Sequence, residues 1–139
     1  DDRKEGVWIK YHTDGITPSL KGNYENNRPK GQFTRYWSNG KPKEKGNFEK
    51  NIYKDSLIRY YENGQPSYQG KYNEIGKENG KIRYYYPNGQ LMMRYNFEKG
   101  SLLAEDTIFW DNGTPYDVIS FDQDSAHYIQ TVYDYAGVL

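Results

Sequence analysis

An Asn-Gly or Asp-Gly dipeptide recurs along the chain at Asp14-Gly15, Asn39-Gly40, Asn63-Gly64, Asn88-Gly89 and Asn112-Gly113. The intervals between these glycines are 25, 24, 25 and 24 residues. A constant period of this length marks an array of stacked units. The dipeptides close aromatic-rich runs, as in GQFTRYWSNG at 31–40, DSLIRYYENG at 55–64 and GKIRYYYPNG at 80–89. Asn-Gly in such a setting is the strongest short-range sign of a β-hairpin. It predicts two-residue type I′ turns, with positive φ at both central residues. Helix is a poor alternative, because Gly recurs within each unit and Pro18, Pro42, Pro66 and Pro115 follow four of the five turns.

Pairing residues outward from each turn sets Gly6 opposite Tyr24, Trp8 opposite Gly22, Gly31 opposite Phe48 and Phe33 opposite Gly46. It likewise pairs Asp55 with Tyr72, Leu57 with Gly70, Gly80 with Phe97, Ile82 with Tyr95 and Ala104 with Phe121. A large side chain repeatedly meets Gly or Ala, so a ring covers backbone that would otherwise be bare. Alternation then sorts every hairpin into two faces. One is apolar and holds Phe33, Phe48, Ile82, Tyr84, Tyr95 and Phe97, with Trp37, Tyr61, Tyr86 and Trp110 across from Pro42, Pro66, Leu91 and Pro115. The other is polar except for a column of rings at Tyr11, Tyr36, Tyr60, Tyr85 and Phe109. The expected fold is all-β: about five hairpins, or ten short strands, forming an elongated twisted antiparallel meander over residues 1–121. Residues 122–139 then form a capping segment, which a repeat array needs at its end. A helix capped by Asp124 or Ser125 would put Tyr128, Ile129, Val132, Tyr133 and Ala136 on one face, with Gly137 just past its end. Ile129, Thr131 and Tyr133 alternate equally well in a strand; helix is the favoured reading of the two.

Composition agrees with a thin, ring-filled structure. Mean hydropathy is −1.14, yet the chain carries 16 Tyr, 5 Phe and 3 Trp, unlike aromatic-poor disordered chains. The 19 basic and 19 acidic residues cancel, which argues against nucleic acid as a partner. No apolar run approaches the roughly 20 residues that cross a bilayer as a helix. The lack of Cys rules out disulfides and thiolate metal sites. The chain opens on Asp1 with no initiator Met, which predicts a processed or excised chain, so that any signal peptide or lipid attachment site would lie outside it.

The unit G-x-[WFI]-x-x-Y-x-x-N-G followed by G-x-[YF] resembles the bacterial variant of the MORN repeat, found in YwqK-like antitoxin components. Gly6–Tyr24, Gly31–Phe48 and Gly80–Phe97 fit it. The unit at 55–72 departs with Asp55, and the fifth with Ala104 and Asp106. The resemblance covers residues 5–121 and implies a single sheet of hairpins with a binding or scaffolding role. It carries over no catalytic residue.

Catalysis has little to stand on. His12 occupies the slot of Trp37, Tyr61 and Tyr86, as a packing residue would, and His127 has no ligand-spaced partner. The acidic pairs Glu105/Asp106, Asp122/Asp124 and Asp1/Asp2 read as solvated charge. No enzymatic activity, metal or cofactor is therefore expected. The candidate binding residues are Tyr11, Tyr36, Tyr60, Tyr85 and Phe109 with Lys43, Arg83 and Arg94, because Tyr beside Arg is what protein interfaces favour. A protein partner, such as a toxin or envelope protein, is the first expectation. A glycan or peptidoglycan at the cell envelope is the alternative.

Overall fold

The computed structural model describes residues 3–99, 101–102, 106–121 and 128–139, without the side chains of residues 106, 121 and 128. Among them are twelve strands and no helix: Gly6–Tyr11 (β1), Pro18–Glu25 (β2), Arg28–Tyr36 (β3), Pro42–Glu49 (β4), Ile52–Tyr60 (β5), Pro66–Tyr72 (β6), Gly80–Tyr85 (β7), Leu91–Glu98 (β8), Ser101–Leu102 (β9), Asp106–Phe109 (β10), Pro115–Phe121 (β11) and Tyr128–Val132 (β12). They form one antiparallel sheet in chain order, with β9 and β10 both pairing with β8. Apart from β10, which passes the short β9 to pair with β8, every strand meets only its sequence neighbours, as a hairpin array requires.

The expected outer register is found. Gly6 pairs with Tyr24, Trp8 with Gly22, Gly31 with Phe48, Phe33 with Gly46, Asp55 with Tyr72, Leu57 with Gly70, Gly80 with Phe97 and Ile82 with Tyr95. The Ala104–Phe121 pair lies outside the described residues. The turns differ from expectation. Gly40, Gly64, Gly89 and Gly113 have positive φ, but the Asn before each does not. Trp37 N–H donates to Lys41 O and Gly40 N–H to Trp37 O, and the same two bonds recur at Tyr61, Tyr86 and Trp110. These are three-residue loops with a left-handed glycine at the end, the pattern of a type I turn with a G1 bulge. A second irregularity, at Arg35/Tyr36 and its equivalents, takes up the extra loop residue and restores the outer register. One consequence is a correction: Pro42, Pro66, Leu91 and Pro115 lie opposite Tyr36, Tyr60, Tyr85 and Phe109, not opposite Trp37, Tyr61, Tyr86 and Trp110. Paired positive φ values occur on the other edge, at Asn26-Asn27 and Lys50-Asn51, where successive units are joined.

The tail is a second correction. Residues 128–132 form β12 against β11, from Phe121↔Tyr128 to Asp117↔Val132. Asp134 N–H then donates to Val138 O, and Gly137 N–H to Asp134 O, with Gly137 at φ 82°. This repeats the turn of the earlier units, and Gly137 follows Gly113 by another 24 residues. The described tail continues the array as strand and turn, because an open edge on β11 offers a ladder of backbone bonds that a helix would leave unpaired.

Phe33, Leu57, Tyr68 and Ile82 are the buried hydrophobic residues among those described, all on the face expected to be apolar. Half-buried rings surround them. Phe33 and Phe48 lie 4.6 Å apart between centroids, Phe48 and Tyr53 4.8 Å, Tyr53 and Tyr72 5.4 Å, and Tyr68 and Tyr84 5.1 Å. A chain of rings along the sheet thus takes the place of a second layer.

Candidate functional site

Units are joined at the turn edge by a repeated donor. Trp37 Nε1–H donates to Tyr60 O at 3.2 Å, Tyr61 Oη–H to Tyr85 O at 2.7 Å, Tyr86 Oη–H to Phe109 O at 3.0 Å and Trp110 Nε1–H to Tyr133 O at 3.3 Å. His12 Nε2 lies 3.1 Å from Tyr36 O, so the imidazole fills the same place. The slot takes rings that carry an N–H or O–H, and Phe never appears there. The turn asparagines add a second ladder. Asn63 Oδ1 accepts from Gln65 N–H while its Nδ2 donates to Pro87 O, and Asn39, Asn88 and Asn112 do the same.

The ring ladder ends on the backbone carbonyls of Tyr36, Tyr60, Tyr85 and Phe109, which lie at two-strand intervals, roughly 10 Å apart. The four rings are half-buried on the outer face, and Tyr11, beside the β1 edge, is 53% exposed. Among the described residues none of the five stacks on another, unlike the rings of the inner face. Tyr133, whose carbonyl takes the Trp110 bond, belongs to the same series. The sequence reading missed it by assigning the tail to a helix, although the 24-residue period running on to Gly137 was the available signal.

Beside the rings runs a second row that the register makes continuous: Ile9, Lys21, Thr34, Lys45, Ile58, Gln69, Arg83, Arg94, Thr107, Val118 and Thr131, each paired with the next. Arg83 and Arg94 stand directly opposite one another. Lys45 Nζ lies 5.8 Å from the Tyr60 ring centroid, the Arg94 guanidinium 5.9 Å from Phe109, and Tyr85 Oη–H donates to Gln69 at 3.0 Å. The structure thus brings Tyr60, Tyr85, Phe109, Arg83 and Arg94 together. Lys43 goes elsewhere: its Nζ lies 4.3 Å from the Trp37 ring centroid, and it lines a cleft of about 320 Å³ with Arg35, Trp37, Glu44, Arg59, Tyr60, Tyr61 and Ser67. At the floor of that cleft Glu44 is buried between Arg59, 2.9 Å away, and Arg35, 3.7 Å away, a charge cluster that ties β3, β4 and β5 together.

A single open sheet of tandem hairpins, with donor rings linking its turns, defines a class of repeat protein. Residues 29–50, 57–74 and 78–105 match the MORN repeat variant. No curated protein matches the sequence. MORN-type repeats are generally associated with binding and scaffold roles. Among the described residues no helix is long and apolar enough to cross a membrane.

Proposed function

We propose that this chain is a non-catalytic scaffold that binds a protein partner across its outer face, in the manner of an antitoxin or immunity protein. The observation that carries this reading is the outer ring series. The carbonyls of Tyr36, Tyr60, Tyr85 and Phe109 are held by the ladder of ring contacts at fixed spacing, and none of the four rings packs into the core cluster. Rigid rings with Arg83 and Arg94 alongside supply apolar area and hydrogen-bond donors at little entropic cost. Cations over Tyr60 and Phe109 cover ring faces that a sugar would stack upon, which favours protein over glycan.

Affinity capture from the native source with the wild-type chain and with Tyr36→Ala/Tyr60→Ala/Tyr85→Ala tests it. Loss of a specific protein by a triple variant with an unchanged β-sheet circular dichroism spectrum is the expected result. Retention of that protein would remove this face as the binding surface.

A further inference from the structure

We propose that the outer face takes an acidic polypeptide segment laid across the strands, its carboxylates on Lys21, Lys45, Arg83 and Arg94. This rests on the protein-binding reading above and names the chemistry of the partner. The chain is neutral as a whole, but its charges are segregated. The row from Ile9 to Thr131 holds four cations and no carboxylate, and the flanking outer positions add Lys71 and Lys81. The ion pairs among described residues lie elsewhere: Lys30–Glu25, Lys54–Glu49, Lys54–Glu74, and Glu44 with Arg35 and Arg59. Carboxylates instead line the turn edge, at Asp14, Glu62 and Asp111, while at the opposite ends Glu25, Glu49 and Glu98 are interspersed with Lys30, Lys50, Lys54 and Lys99.

Like charges directly opposite in a ladder destabilise a sheet. Arg83 facing Arg94 with no ion pair to either among the described residues is therefore a stability cost, of the kind retained where function needs it. The acidic turn edge decides the shape of the occupant. Strands of eight residues span about 26 Å at roughly 3.3 Å per residue, so a flat anionic membrane would press on the carboxylates of the turn edge as well. A narrow segment along the central row meets its four cations, with Asp55, which accepts from Asn47, at the margin beside Lys45. Stacking by single-stranded nucleic acid is disfavoured where Lys45 and Arg94 already cover rings.

The test uses fluorescence anisotropy with a labelled peptide of about 20 residues alternating Glu and Ser, at low salt where screening is weak. Arg83→Gln/Arg94→Gln is expected to weaken binding by about tenfold or more. Lys50→Asn/Lys99→Asn removes the same charge from left-handed edge positions that suit Asn and is expected to change it less than about twofold. The Arg variant should melt no lower than wild type, since it relieves a repulsion. Equal effects of the two variants, or no peptide binding, overturns the proposal. So does binding that depends on Arg83 and Arg94 with oligo(dT) or phosphatidylserine vesicles but not with the peptide. If native partner capture still fails in the tyrosine variant while the peptide does not bind, the protein-binding reading stands and the acidic partner falls.

Discussion

Glycine does two separate jobs in each unit. Gly6, Gly31 and Gly80 have φ of 72°, 77° and 81° and nothing within 4 Å of where a Cβ would sit. Gly46 has ordinary φ, but a Cβ there would lie 2.8 Å from Leu57 Cδ1 and 3.1 Å from the Phe33 ring. Pairing on paper joined both kinds to a large partner correctly, yet it assigned one cause, room for a facing ring, to both. Backbone torsion cannot be read from a register, although Asp55 in the same slot at φ 61° was the hint, since Asp tolerates this region. The two kinds should separate on substitution. Gly31→Ala is expected to cost about 1 kcal/mol, and Gly31→Asn less. Gly46→Ala is expected to cost about 1–3 kcal/mol, and the larger Gly46→Asn more. Urea denaturation of the four variants checks the reversal; the same order at both sites would refute it.

At the scale of strands and turns, the outer register was legible because a three-residue loop and the bulge beyond it compensate each other. Trp37 and Tyr36 changed places opposite Pro42 for the same reason: the offset lies between turn and bulge, where the two-residue assumption fails. The connection from β6 to β7 carries a feature that no repeat pattern announces. Tyr68 Oη lies 2.9 Å from both Tyr72 Oη and Glu78 Oε1. Burial, then the Tyr72 hydrogen bond and the Glu78 charge, push the Tyr68 hydroxyl far above its ordinary 10.0, and burial also raises Tyr72 and Tyr84. A raised value in the fold means that the folded chain holds these protons more tightly. Their contribution is therefore complete below about pH 10, where unfolded tyrosine is still protonated, and is lost as pH rises above it. Melting temperature should be level through neutral pH and fall steeply above pH 10. In Tyr68→Phe it should start lower, by about 0.5–1.5 kcal/mol of stability, and fall less steeply. Equal alkaline slopes in the two proteins would show that Tyr68 is not responsible.

For the molecule as a whole, the hairpin array was legible from its period and the tail was not. Tyr128, Ile129, Val132 and Tyr133 fit a helical stripe while Ile129, Thr131 and Tyr133 fit a strand alternation, and only the backbone bonds left open along β11 decide between them. Stability in such an array is a sum over neighbouring units. Leu57 and Ile82 are fully buried, at the middle of the chain. Leu57→Ala is expected to cost about 2–5 kcal/mol. Amide exchange should quicken in β4, β5 and β6, while β11 and β12 keep the protection of the wild type. Uniform loss of protection from β1 to β12 would instead show a single cooperative unit.

The side-by-side order of the hairpins also sets how the protein meets a pull. Tension applied between its two end strands runs across the strands, in line with the backbone hydrogen bonds rather than sideways to them. Each bond row is then loaded one after another, like a strip being peeled, and no row shares its load with a distant one. A released unit of 24 or 25 residues pays out about 80 Å of chain at roughly 3.3 Å per residue. The chain is built to yield in steps, lengthening by one hairpin at a time while the units behind it keep their shape.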